Sequence, residues 1–368
     1  MGSILLGNGI NIQFGGKQYF NSNIIKRAIN NILTEQFDRY DYPQEILQWV
    51  YLLNEVFSDI LKGEFDKYAY LSFEKDSLND LKKRYNRGYK YEVYEIGLED
   101  YFLIHDLFCS KNKIHNPESF EIRESLKRLF ADSIFNSGSI QHIYKNFPEE
   151  FKSFLLKHDQ IFTTNYDLNL DQVVNDRVIH LHGNFTELSE VYNVNSFRNQ
   201  ISDTPAKDFK ITESNRHLYS NIIMSYGGYL KEYGISLHKK ANSGIDKFAK
   251  AYKNNSKVRK DIEAWKNAPD ELTRRLYEGV LLKVNKPELN FNEPYGGDEI
   301  KKIAGSLKLL GLSPNNDIHL FSEIVENNQI DKVEFFYFDP HELDIAKKLF
   351  QKKKIIGVNV QNFWESII

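Results

Sequence analysis

Four short stretches of this chain hold residues whose types and spacing can do chemistry: Gly7-Asn8-Gly9-x-Asn11, Thr164-Asn165-x-Asp167, His182-Gly183 and Gly311-x-Ser313. Gly-x-Gly lets backbone N–H groups approach an anion closely, because a Cβ would stand in the way. The same pair also marks a plain tight turn. The third glycine of the dinucleotide fingerprint would fall at Ile12, so the usual dehydrogenase pattern is not met. The Asn165 amide is able to donate to and accept from a ribose hydroxyl or a water, and the Asp167 carboxylate to accept from a carboxamide. Asn-x-Asp is equally a turn starter. His182 lies 17 residues beyond Asn165 and suits a base for a ribose hydroxyl or a water. His180 shares its strand face and competes for that role, and a structural histidine bonded to backbone is the plain alternative. His180-x-His182 permits a metal, but no Cys, His or carboxylate cluster has ligand-like spacing nearby, so no metal is expected. Ser313 and Asn316 suit a ribose or a phosphate, with a helix cap at Asn316 or Asp317 as the plain alternative.

Strands must position these residues. Ile4–Leu6 reads as a buried strand running into Gly7. Gln160–Asn165 and Arg177–Gly183 are short runs of β-formers. Ser306–Gly311, Val333–Phe338 and Ile355–Val360 read as further strands, with helices over Asp317–Val325 and Val360–Ile368. Strands apolar on both faces, alternating with helices, predict an α/β fold with a Rossmann-like parallel sheet core. Ligands then sit at the carboxyl ends of the strands, where all four stretches fall.

The rest of the chain predicts two large helical insertions, about 20–157 and 188–299, in a single domain whose core is about 1–16, 158–187 and 300–368. Asn21 or Ser22 is expected to cap a helix with apolar positions at Ile25, Ala28, Ile29, Ile32 and Leu33. Pro43 fits the first turn of another, with Ile46, Leu47, Val50, Leu53 and Phe57 inward and Gly63 past its end. Helical patterns recur near Leu98–Cys109, Ile122–Phe135 and Pro148–Leu156, and Asp270 can cap a helix holding Leu272, Leu276, Val280 and Leu281. Residues 64–95 give no clear pattern.

A 41% hydrophobic and 27% charged composition is that of a globular protein. A net charge of −3 argues against bulk binding to nucleic acid, which would be met only through a partner. The single Cys109 excludes an intrachain disulfide and a four-cysteine zinc site, and fits a cytoplasmic protein. No apolar run of ~18 residues predicts a membrane span, and no secretory leader is read.

Taken in order, the four stretches resemble the sirtuin-like family, Rossmann-type proteins that cleave the nicotinamide–ribose bond of NAD+. The resemblance covers the core stretches and the carboxyl-terminal strands; the helical insertions do not match the deacylases. It implies that Gly7, Asn8, Gly9 and Asn11 meet the pyrophosphate and adjacent ribose. Asn165, with Thr164 beside it, would bind the nicotinamide ribose and position a water. Asp167 would contact the carboxamide, and His182 would be the base. Ser313 and Asn316, next to Gly311, would hold the adenosine ribose. The zinc module of the deacylases cannot exist with one cysteine, their arginine-containing loop is replaced by Phe14-Gly15-Gly16-Lys17, and their acidic residue two before the catalytic histidine is His180. Together these argue against an acyl-lysine substrate. The combination looks like the bacterial antiphage branch, which includes sirtuin-like partners of HerA-type ATPases, Thoeris effectors and the more distant AbiH proteins. The resemblance therefore implies an NAD+ glycohydrolase that depletes NAD+ in abortive infection, with a homo-oligomer and a HerA-type ATPase as its partners. The alternative is a catalytically silent nucleotide-binding sensor or scaffold subunit of a defence complex.

Overall fold

The computed structural model describes residues 2–36, 41–175, 178–201, 210–224, 227–292, 295–314 and 316–367, with backbone alone at 228–230, 232–239 and 271–272. Arg177, Ile368 and the side chain of Leu272, named above, lie outside the described residues. The chain divides into two compact units, one of Met1–Glu187, Glu213–Glu232 and Pro294–Ile368, the other of Leu188–Thr212 and Tyr233–Glu293.

The first unit carries a six-stranded, all-parallel sheet: β1 (Ser3–Leu6), β2 (Gln160–Thr163), β3 (Val178–His180), β4 (Gly305–Leu310), β5 (Ile330–Tyr337) and β6 (Lys354–Asn359), in the order β3-β2-β1-β4-β5-β6. This is the expected Rossmann-like core. β1 lies at its centre, with Ser3 opposite both Gln160 and Leu307. Ile4 and Leu6 pack into one apolar cluster and Leu5 into another with Phe162 and Leu309. Burial on both faces explains why β1 reads as a continuous apolar run.

Helices α1 (Gly9–Gly15) to α7 (Glu149–Leu156) follow β1, through α2 (Asn21–Leu33), α3 (Ile46–Lys62), α4 (Ser72–Arg84), α5 (Asp100–Asn112) and α6 (Glu118–Phe135). α3 ends where Gly63 takes φ +97°, the left-handed stop that a glycine supplies. Three local expectations are corrected. Asn21 does not cap α2; its amide donates to Ile96 O and accepts from Leu98 N–H, tethering the chain ahead of α5. Leu33 is left 64% exposed at the end of α2. Pro43 precedes α3 instead of lying in its first turn. Residues 64–95 hold α4, whose buried Leu78 and Leu81 are outnumbered by charged neighbours, which blurred its period.

α8 (Asp171–Val174) links β2 to β3. The second unit is helical, with α9 (Phe197–Gln200), α10 (Gly228–Asn254, belonging here from Tyr233), α11 (Ser256–Trp265) and α12 (Glu271–Asn285). Its core gathers Phe197, Ile245, Ile262 and Val280. Asp270 caps α12 as expected, accepting from Thr273 N–H at 2.8 Å. Back in the first unit, α13 (Gly297–Ile300), α14 (Ile318–Glu326), α15 (Pro340–Leu349) and α16 (Val360–Ile367) flank β4 to β6. Among the described residues no helix is long and apolar enough to cross a membrane.

The β1 and β4 loops touch backbone to backbone. Gly7 N–H donates to Leu310 O at 2.9 Å, and Gly9 N–H to Gly311 O at 3.1 Å. A Cβ on Gly9 would lie 2.5 Å from Gly311 Cα, and one on Gly7 2.4 Å from Gly311 O. Since backbone on both sides must move, Gly9→Ala is expected to lose about 2–3 kcal/mol in urea unfolding. Gly244→Ala, in α10 with nothing near the added methyl, is expected instead to gain about 0.5–1 kcal/mol. Equal midpoints for the two variants would refute this account of the loop contact.

Candidate active site at the carboxyl edge of the sheet

A cavity of about 900 Å³ opens over the carboxyl ends of the central strands, at the β1/β4 switch point where strand order reverses. Among the described residues its walls come from the first unit. Of the sequence-predicted residues, Asn8, Gly9 and Asn11 line it from the β1 side, Thr164, Asn165 and His182 from β2 and β3, and Gly311, Ser313 and Asn316 from β4. Gly7 and Asp167 are buried outside that wall.

Asn165 is fixed by its backbone and free at its side chain. Its N–H donates to Thr163 Oγ1 at 3.0 Å, and its carbonyl meets His180 Nδ1 at 3.2 Å. His180 Nε2 in turn meets Asp171 at 3.0 Å. Burial alone would lower the His180 pKa, but Asp171 overcomes this and raises it. No hydrogen bond from the described residues engages the Asn165 amide, although the residue is only 7% exposed. His180 thus supports Asn165, which separates it from its competitor.

His182 follows β3, and its carbonyl accepts from Ile223 N–H at 2.9 Å. Gly183 then turns at φ +73°, where a Cβ would strike Asn221 at 2.4 Å. The His182 imidazole, 2% exposed, meets His319 at 2.8 Å between the two Nε2 atoms, so one ring donates and the other accepts. Burial, then Lys231, then His319 push the His182 pKa well below its usual value, so the ring is neutral.

Two placements change the meaning of a motif. The Gly7 and Gly9 amides face the β4 loop, so these glycines serve loop packing first and do not present those N–H groups to an anion. Asp167 accepts from Asn11 Nδ2 at 2.6 Å and from Asn169 Nδ2 at 2.6 Å. It orients Asn11, whose Oδ1 is buried without a hydrogen-bond partner.

Several residues at the site escaped the sequence reading. Glu99, just before α5, accepts from Lys231 Nζ at 2.7 Å. Lys231 is 2% exposed, and both line the cavity. Asp317 also lines it, and its side chain does not cap α14. Glu342 of α15 accepts from Ser313 Oγ at 2.9 Å. Asp317-x-His319 was the one readable signal, two polar side chains opening an otherwise apolar helix. Glu99 and Lys231 carry none, because 132 residues separate them.

Burial pushes the Glu99 carboxyl up to about 7, against the pull of Lys231 and with the help of Asp317 and Asp100. Burial likewise raises Asp317 to about 6. A raised carboxyl means that the folded state holds its proton more tightly than the unfolded state, so stability falls as pH rises through the interval between the two values. Wild type is therefore expected to lose stability relative to Glu99→Gln between pH 5 and pH 8, read from urea midpoints. A gap that stays constant over that range would contradict this placement of Glu99. Compared with models of protein families, with curated proteins and with solved structures, the chain matches none of them.

Proposed function

We propose that the protein is an NAD+ glycohydrolase, cleaving the nicotinamide–ribose bond with water as the acceptor. The observation that carries this reading is the unengaged Asn165 amide, pinned by its backbone and set on one cavity wall with His182. The unpaired Asn11 Oδ1 and the Ser313–Glu342 pair add polar groups suited to sugar hydroxyls on the same edge. Phe338, 69% exposed at the rim beyond β5, offers a ring face to a base. The cavity volume of about 900 Å³ lies within the range of small-molecule sites.

The chemistry needs little acid catalysis, because nicotinamide leaves a cationic ring nitrogen as a neutral molecule. The C1′–N bond breaks, a water oxygen bonds to C1′, and the water's proton is lost. Asn165 orients that water, and neutral His182 takes the proton directly or through a ribose hydroxyl. No carboxylate nucleophile is required, unlike the usual glycosidases. In this reading the protein depletes NAD+ in antiphage defence, as an oligomer or with a HerA-type ATPase.

The test is nicotinamide and ADP-ribose release from NAD+, by the protein alone and with such an ATPase. Asn165→Ala and His182→Ala are each expected to lower kcat by about 10²–10³-fold. Ser313→Ala is expected to raise KM by about tenfold with kcat nearly kept. Turnover that survives Asn165→Ala unchanged would overturn the site assignment. A second reading, a silent nucleotide sensor, draws on the His182 Nε2 being held by His319. It predicts NAD+ binding with no product in any assembly state.

A further inference from the structure

We propose that His182, Asp317 and His319 form a binding site for a divalent transition cation of the zinc type. When filled, the site switches the cavity's chemistry off. The donor atoms of the three side chains all lie within 4.8 Å of one another. Two imidazole nitrogens and one carboxylate are a zinc donor set, and three protein ligands leave a fourth position for water. That position has room, because His182 and Asp317 border the cavity.

The ligands sit on firm supports, His182 just after β3 and the other two at the start of α14. The buried pair differs from two other histidines of the fold: His180 holds Asp171 and His217 holds Asp132, each at a carboxylate. Among the described residues the His182 and His319 rings hydrogen-bond only to each other, with Asp317 close by and bonded to neither. Their Nε2 atoms, 2.8 Å apart, would need to part only to about 3.3 Å to share a tetrahedral zinc at its usual bond length. Lys231 beside the cluster is held by Glu99 at 2.7 Å, and the Asp317 carboxylate supplies the negative charge within the group.

A cation on Nε2 takes the lone pair that His182 would need as a base. This consequence for activity rests on the NAD+ glycohydrolase reading; the binding itself does not. The experiment uses the full chain after chelator treatment, titrated with Co2+ by visible d–d absorption and with Zn2+ by calorimetry. One equivalent is expected to bind. His319→Gln and Asp317→Asn, checked for native circular dichroism, are each expected to weaken binding at least about tenfold, and His341→Ala, an exposed histidine, to leave it unchanged. Zn2+ is expected to inhibit nicotinamide release at the concentration that fills the site, with chelator restoring it. No stoichiometric binding, or binding unchanged in both ligand variants, overturns the site. Bound Zn2+ without inhibition overturns the switch. If nicotinamide release is absent in every state, the glycohydrolase reading fails while the titration still decides the site.

Discussion

The structure of the first unit turns on a backbone contact between two loops. β1 and β4 are neighbours at the centre of the sheet, and their chains leave it in adjoining loops that bond through Gly7, Gly9 and Gly311. A side chain on either Gly7 or Gly9 would drive backbone into backbone. Gly311, at φ +78°, also needs a left-handed conformation that L residues seldom adopt. With that contact made, the crevice between the diverging crossovers is set, and the polar residues on either side are held to a fixed spacing. The loops read first as an anion cradle are, physically, the hinge pin of the site.

Around that pin the side chains divide into supports and free ends. Asp167 orients Asn11, His180 and Asp171 hold the carbonyl of Asn165, and Asn221 crowds the turn after His182. The amide of Asn165 and the Oδ1 of Asn11, both in the cavity wall, are left without a hydrogen-bond partner among the described residues. The same cavity gathers groups whose charge burial resists, Glu99 and Asp317 raised and His182 and His319 lowered. Clusters of groups with displaced proton affinities at a concave surface are a physical mark of functional sites.

The sheet was legible because its strands are short, apolar on both faces and end in glycine or polar residues. β2, β4 and β5 lie within a residue or a few of their expected ends. The strand-end residues were legible for the same reason, since a parallel sheet brings its carboxyl ends to one edge whatever the sequence distance. What the helical layers contribute was not. Glu99 and Lys231 meet across 132 residues through tertiary packing that no period records. The direction of a side chain was equally hidden. His180 and His182 are two apart on the chain, yet one meets Asp171 and the other His319. Asp167 shares a turn with Asn165 but faces inward.

The central place of β1 has a consequence for how the molecule is made. Its first residue pairs with partners 157 and 304 positions later, so β1 leaves a ribosome well before either of its neighbours and waits for both. At about 5–20 residues per second that wait lasts tens of seconds, and such distant pairings are slow to close. The cavity has no floor until β4 has been synthesised, and it lacks Glu342 until α15 follows. A nascent chain therefore holds no assembled pocket until these elements have emerged. Late closure withholds the cavity from any ligand until the strands and helices that wall it have all been made.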